Sequence, residues 1–289
     1  MKNLTIITEF VLLGFSRNPH ILNMLFALFL VIYVLTLMGN LVMILVIRTD
    51  SHLKTPMYFF LGHLSFLDLS LSSITTPKML ENLLTQKKTI SVWGCMAQSF
   101  FLILSGSTEA CLLSAMAYDH YAAICHPLLY SVIVNRPLCV GMVTAAWAVG
   151  FLNLLPNSLF TYNLHFCGPN VIPHFCCELS SLFPLSCTDP TANEALLAGS
   201  CALLGFVTFP LILFSYSRII SAIISIPSSG GQGKAFSTSL FRYMTPLSGS
   251  MLEQVVSIQY SVITSLLNPL IYSLKNQEVK IALHRVLKQ

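Results

Sequence analysis

The stretch Met116-Ala-Tyr-Asp-His-Tyr-Ala-Ala-Ile-Cys-His-Pro-Leu-Leu-Tyr130 decides how this chain is read. It closes a long apolar helical pattern that starts near Val92. It also sets Asp119, His120 and Tyr121 side by side where that helix would leave a membrane. The rest of the chain agrees with a membrane reading. Of 289 residues, 55% are hydrophobic and only 9% are charged, and the mean hydropathy is +0.75. A soluble domain needs more charge than this on its surface, whereas a lipid-facing belt does not. The net charge of +4 is small and scattered, and no basic, aromatic-interleaved patch is present, so nucleic acid is not an expected partner.

About 20 apolar residues cross the hydrocarbon core. Six segments meet this: Met24–Ile47, Met57–Leu80 with Asp68 inside it, Val92–Ala122 with Glu109, Leu138–Phe160 with Pro156, Leu196–Ile224 with Pro210, and Val255–Leu274. Proline within such a helix is tolerable where neighbours satisfy the freed carbonyl. Met1 to Pro19 carries Glu9 and Arg17 and does not read as a cleaved signal peptide. The first apolar run is expected to act as an uncleaved anchor. Asn3-Leu-Thr5 is a glycosylation acceptor just ahead of it.

Several motifs surround the opening stretch. They are Gly39-Asn40, Leu53-Lys-Thr-Pro-Met-Tyr-Phe-Phe60, Leu64-Ser-Phe-Leu-Asp68, Pro77-Lys-Met-Leu80, Lys234-Ala-Phe-Ser-Thr238 and Asn268-Pro-Leu-Ile-Tyr272. In this order and spacing the chain resembles the olfactory receptors, a branch of the rhodopsin-like G-protein-coupled receptors. Residues 116–130 resemble that family's MAYDRYVAICHPLxY signature. The resemblance implies an all-α polytopic bundle, one transmembrane receptor domain over residues 1–289. It implies an extracellular N-terminus over 1–23, a long extracellular loop over 161–194 and a cytoplasmic tail over 275–289.

Two departures stand out. The family's Arg is His120 here. The family also has another crossing after Lys234-Ala-Phe-Ser-Thr238, but Ile226 to Ser250 holds no apolar run longer than a few residues. By hydropathy that segment is a loop, leaving six clear crossings instead of seven. With the N-terminus outside, Arg48, Lys54, Arg136, Arg218 and Lys234 fall on the cytoplasmic side. Six crossings would put Lys275, Lys280, Arg285 and Lys288 outside, against the positive-inside rule.

The resemblance also assigns sites. It implies the disulfides Cys95–Cys177 and Cys167–Cys187, with Cys176 left over; Cys111, Cys125, Cys139 and Cys201 read as reduced packing residues. It implies a pocket for a small volatile odorant lined by Leu102, Ile103, Gly106 and Ser107 on the third helix and Ser200 and Leu204 on the fifth. Plain helix packing is the other reading of those small residues. Asp119, His120 and Tyr121 are implied to meet a heterotrimeric G protein. His is shorter than Arg and mostly neutral at pH 7, so His120 is either a weak substitute or a lesion. Asp68 and Glu109 are intramembrane carboxylates that need partners, and similarity sets them with Asn40 and Asn268. They hold a sodium ion between them or share a proton. No other cofactor is expected.

His174-Phe-Cys-Cys-Glu178 could chelate a soft metal only if Cys177 were reduced. Ser228-Ser-Gly-Gly-Gln-Gly-Lys234 lacks the first glycine of a phosphate loop, and no hydrolase motif occurs, so no enzyme is expected. The expected function is an odorant receptor at the plasma membrane. The alternative is a non-signalling, receptor-derived chain held in the endoplasmic reticulum; a transporter or channel is disfavoured by the lack of internal repeats.

Overall fold

The computed structural model describes residues 7–13, 18–85, 87–167 and 170–224. Five of its helices are long and apolar enough to cross a membrane. They are α1 (Pro19–Thr49), α2 (Pro56–Leu84), α3 (Val92–Cys125), α5 (Arg136–Tyr162) and α7 (Thr191–Ile224). Single-turn helices α4 (Tyr130–Ile133) and α6 (Leu179–Leu182) lie in the connections. The five long helices contain the first five apolar segments and overrun most of them by a few residues at one or both ends. Hydropathy marks the lipid-embedded stretch, whereas caps mark the helix. Asn18 accepts from the His20 backbone N–H at 3.0 Å with Pro19 next in line, and Asn135 accepts from Leu138 N–H at 3.0 Å. Ser91 caps α3 through Gly94 N–H at 3.1 Å. Each cap satisfies a donor that the first turn leaves open. The segment Val255–Leu274 lies outside the described residues.

Helix α3 is the hub. It packs against α2, α5 and α7, while α1 packs on α2. One buried cluster joins Met43 and Val46 of α1, Tyr58, Leu61 and Leu64 of α2, Leu112 and Met116 of α3 and Val143 of α5. The outer faces are apolar instead: Phe206 is 81% exposed and Leu152 and Leu203 are each 68% exposed. Surfaces of this kind belong in lipid. Pro77 removes an amide from α2, and in that disturbed turn Gln98 of α3 donates to the Ile74 carbonyl at 3.1 Å. The bundle is therefore the rhodopsin-like helical architecture that the sequence implies.

A small sheet caps one end, an addition to the all-α expectation. Strand β1 (Glu9–Leu12) is its centre, with β2 (Thr89–Ser91) antiparallel on one side and β3 (Val171–Ile172) parallel on the other. Phe10 faces Ile90 and Leu12 faces Ile172. Phe10 and Leu12 are fully or almost fully buried.

Candidate functional site

The cap and the loop beneath it form the roof of the bundle. Cys95 at the start of α3 is bonded to Cys177, and Cys167 is bonded to Cys187. These are the cysteines that the family resemblance pairs. Around the first bond the loop is held by polar contacts as well. Ser99 donates to the Cys177 carbonyl at 3.0 Å, and Gln98 Oε1 accepts from Cys177 N–H at 3.3 Å. Phe10 of β1 meets Phe166 edge-on at 5.3 Å between ring centres. The roof's apolar cluster holds Phe10, Leu12, Leu164, Leu182 and Phe183, and Ile103 of α3 and Leu197 of α7 pack against it from below. At the start of α7, Asp189 accepts from Thr191 N–H and Oγ1, and these bonds hold its carboxyl below the ordinary range.

The residues assigned to an odorant pocket fall on α3 and α7, which pack together. Leu102, Ile103 and Gly106 are half-buried on α3, and Ser200 and Leu204 are half-buried on α7. Asn193, Leu197, Ser200, Leu204 and Thr208 follow one another at helical spacing, so they share one face. Asn193 and Thr208 on that face are buried. Ser200 donates to the Leu197 carbonyl at 2.9 Å. Ser107 differs from the rest: it is buried, and its hydroxyl oxygen accepts from Asn153 Nδ2 of α5 at 2.6 Å. It therefore sits where α3 meets α5.

Asn40, Asp68 and Glu109 are all buried, on α1, α2 and α3 respectively. Asn40 donates to the Thr36 carbonyl at 3.0 Å. Asp68 and Glu109 are the two acidic side chains set deep in neighbouring helices. Asn268, assigned to the same cluster, lies outside the described residues, as does Asn3. Among the described residues no three His, Cys, Asp or Glu side chains converge as a metal site. Cys177 is committed to its disulfide, and the buried Cys176 thiol lies 3.9 Å from Glu178 Oε1.

At the opposite end, Asp119 is only 3% exposed and accepts from the Tyr130 hydroxyl at 2.7 Å. Burial first, then this hydrogen bond, pushes the Tyr130 phenol above the usual tyrosine range. His120 is half-buried beside it. Tyr121 turns towards α7: its ring lies 5.8 Å from that of Phe214, and its hydroxyl pairs with His126 Nε2 at 3.1 Å. Arg218 lies over Phe214 at 5.9 Å. Tyr130 closes the stretch read from sequence but was given no role there. An acid at a helix end followed by a loop tyrosine is too common a pattern to single out. The roles of Asn153 and β1 were missed for a similar reason: a lone asparagine in an apolar helix and a four-residue arm carry little signal.

Comparison with known proteins gives consistent matches. A family model described as "Olfactory receptor" matches residues 29–289. Olfactory receptor 8S1 of Homo sapiens is 52% identical over 97% of this chain and 82% of its own length. Olfactory receptor 9G4 of Homo sapiens is 45% identical over 98% of this chain and 91% of its own. Olfactory receptor 10C1 of Homo sapiens is 44% identical over 99% and 97%. The last match spans 303 positions against the 289 residues here, so that relative carries residues this chain lacks.

Proposed function

The chain belongs to the olfactory receptor family, an odorant receptor of the G-protein-coupled type and a multi-pass membrane protein, and from that premise we propose that it takes a small, volatile, mainly apolar ligand between α3 and α7. The observation that carries this reading is the lining itself. Ile103 and Leu197 lie under a disulfide-held roof, with Gly106, Ser200 and Leu204 below them. Such a lining suits a small apolar molecule oriented by one or two hydroxyls. The test is uptake of volatile ligands by the purified chain in lipid nanodiscs, measured against empty nanodiscs. Leu204→Trp, which fills the space, lowers uptake at least tenfold if the reading is right. Unchanged uptake removes α7 from the site.

The family's output is a heterotrimeric G protein, and Asp119, His120 and Tyr121 are the surface proposed to meet it. A ligand shifts a receptor only through differential affinity for its two states. Two observations favour the second reading, a chain that binds ligand but does not couple. His120 lacks the forked donors of an arginine, and the longer relatives carry residues absent here. On that reading most molecules stay in the endoplasmic reticulum rather than reaching the plasma membrane. The buried Asp68 and Glu109 are proposed to bind a sodium ion that biases the resting arrangement.

A further inference from the structure

Packing closes the roof over α3 and α7, and one element of that roof is held more loosely than the rest. Phe10 and Leu12 of β1 lie in the same apolar cluster as Leu182 and Phe183, and Ile103 of α3 and Leu197 of α7 pack directly against that cluster. Strand β1 also packs on α3 itself. A ligand therefore passes the roof only when part of it moves. The loop is pinned: Cys167–Cys187 and Cys95–Cys177 tie it down on either side of β3, and Ser99 and Gln98 bind the Cys177 backbone at 3.0 and 3.3 Å. Strand β2 runs straight into α3 through the Ser91 cap. Strand β1 has no such anchor. The first cysteine of the chain is Cys95, so neither disulfide reaches β1. Its ion pair, Glu9 with Lys87 at 3.4 Å, uses a lysine side chain that is 81% exposed, where such pairs contribute little. The ladders are short as well, with three residue pairs to β2 and two to β3. Segments with few backbone bonds and no cross-link are the ones that open locally.

We propose that β1 is the gate of the ligand site: it lifts from β2 and β3 as a strap to admit a ligand, then pairs with them again to enclose it. The gate rests on the ligand site proposed above. Alternation along β1 suits this role, because Phe10 and Leu12 are buried beneath the sheet while Glu9 and Val11 lie on its outer face. Lifting the strap withdraws two large apolar side chains from the cluster that closes over Ile103 and Leu197. An apolar ligand beneath the roof offers those side chains an apolar surface, so it favours the closed strap through differential affinity. Entry and exit rates are then set by strap opening rather than by the lining. A lipid-soluble ligand has one competing route, sideways between helices, and the packed contact of α3 with α7 opposes it.

The experiment locks the strap from its outer face. Leu12 N–H donates to the Lys88 carbonyl at 2.8 Å and Val92 N–H to the Thr8 carbonyl at 3.2 Å, so the opposed residues Val11 and Thr89 form a pair without ladder bonds of their own. Such pairs set their Cα atoms about 4.5 Å apart, within the span of a disulfide. The full chain carrying Val11→Cys and Thr89→Cys is placed in phosphatidylcholine nanodiscs and its new bond is verified by peptide mapping. It is compared with the intact chain and with each single variant. The probes are straight-chain 2-alkanones. Equilibrium retention is measured by headspace depletion and release by stripping into inert gas, both relative to empty nanodiscs. The locked form is expected to retain the best-held ketone as well as the single variants do, and to release it about tenfold more slowly. Phe10→Ala, which loosens the strap, is expected to release it about threefold faster than the intact chain. Equal release from the locked form and its single-cysteine controls overturns the gate and assigns passage to the helix seams. If the double variant does not fold or does not form its bond, Phe10→Ala decides, and release at the intact rate overturns the gate. Retention no greater than that of empty nanodiscs in every form removes the ligand site, and the gate with it.

Discussion

Gly150 offers the sharpest test of how α3 and α5 are held together. A methyl built on it would overlap the Thr108 hydroxyl, lie 3.0 Å from Leu104 Cδ1 and lie 3.2 Å from the Leu104 carbonyl oxygen. Thr108 is fully buried and bonded to that same carbonyl, so it cannot simply swing away. Gly141, on the same helix, has nothing within 4 Å of its added methyl. Alanine at either position gains about 1 kcal/mol of helix propensity. At Gly150 that gain is opposed by overpacking of about 1–3 kcal/mol. Gly141→Ala is therefore expected to be neutral or stabilising, and Gly150→Ala to lie about 1–3 kcal/mol below it. The assay is reversible unfolding in mixed dodecyl sulfate micelles, followed by far-ultraviolet circular dichroism. Thr108→Ala in the Gly150→Ala background should recover part of the loss, because it removes the overlapping hydroxyl. Equal stability of the two alanine variants would refute the close approach of the helices.

Four other outcomes follow from named contacts. Tyr130→Phe removes the hydroxyl that Asp119 accepts at 2.7 Å; faster hydrogen exchange over residues 126–134 is expected, with a loss of about 1–3 kcal/mol, and unchanged exchange would contradict it. The raised Tyr130 pKa means that the folded chain keeps a proton the unfolded chain loses, so this residue's contribution falls as pH rises past 10. In a difference ultraviolet titration of the intact chain against Tyr130→Phe, no ionisation near pH 10 should be assigned to Tyr130 while the chain is folded. Phe10→Ala, which empties a fully buried position in β1, should cost about 3–5 kcal/mol locally, read as protease sensitivity of the N-terminal arm; an equally resistant arm would mean that β1 does not hold the roof. If sodium binds at Asp68 and Glu109, the melting temperature in sodium chloride should exceed that in choline chloride, and Asp68→Asn should abolish the difference.

The five described crossings were legible because lipid demands about 20 apolar residues in a row, and little else in a sequence looks like that. Their true ends were less so: α1 starts at Pro19 rather than Met24 because Asn18 caps it ahead of the apolar run. The small sheet at the end of the bundle was not legible. Strands of two to four residues carry no period of their own, and β1 pairs with segments some 80 and 160 residues away. At the site, the residue types on α3 and α7 could be listed from family position, but the bridge from Ser107 to Asn153 of α5 could not. That bridge runs through Asn153, itself bonded to Asn157, and both look from sequence like isolated polar residues in an apolar helix. The partner of Asp119 was hidden in the same way, because only the folded connection after α3 brings Tyr130 back to it.

The central proposal is that this chain, a member of the olfactory receptor family, takes an odorant between α3 and α7, with non-coupling as the second reading. The direct measurement is ligand-evoked cyclic-nucleotide output in cells, using a ligand that the nanodisc panel has shown to bind. Four forms are compared: the chain as it stands, the chain with His120→Arg, the chain with an apolar crossing inserted after Thr238, and both changes together. The account predicts ligand binding in all four, no output from the first two, and a clear response from the doubly altered form. Full output from the unaltered chain, equal to that of the doubly altered one, would contradict it.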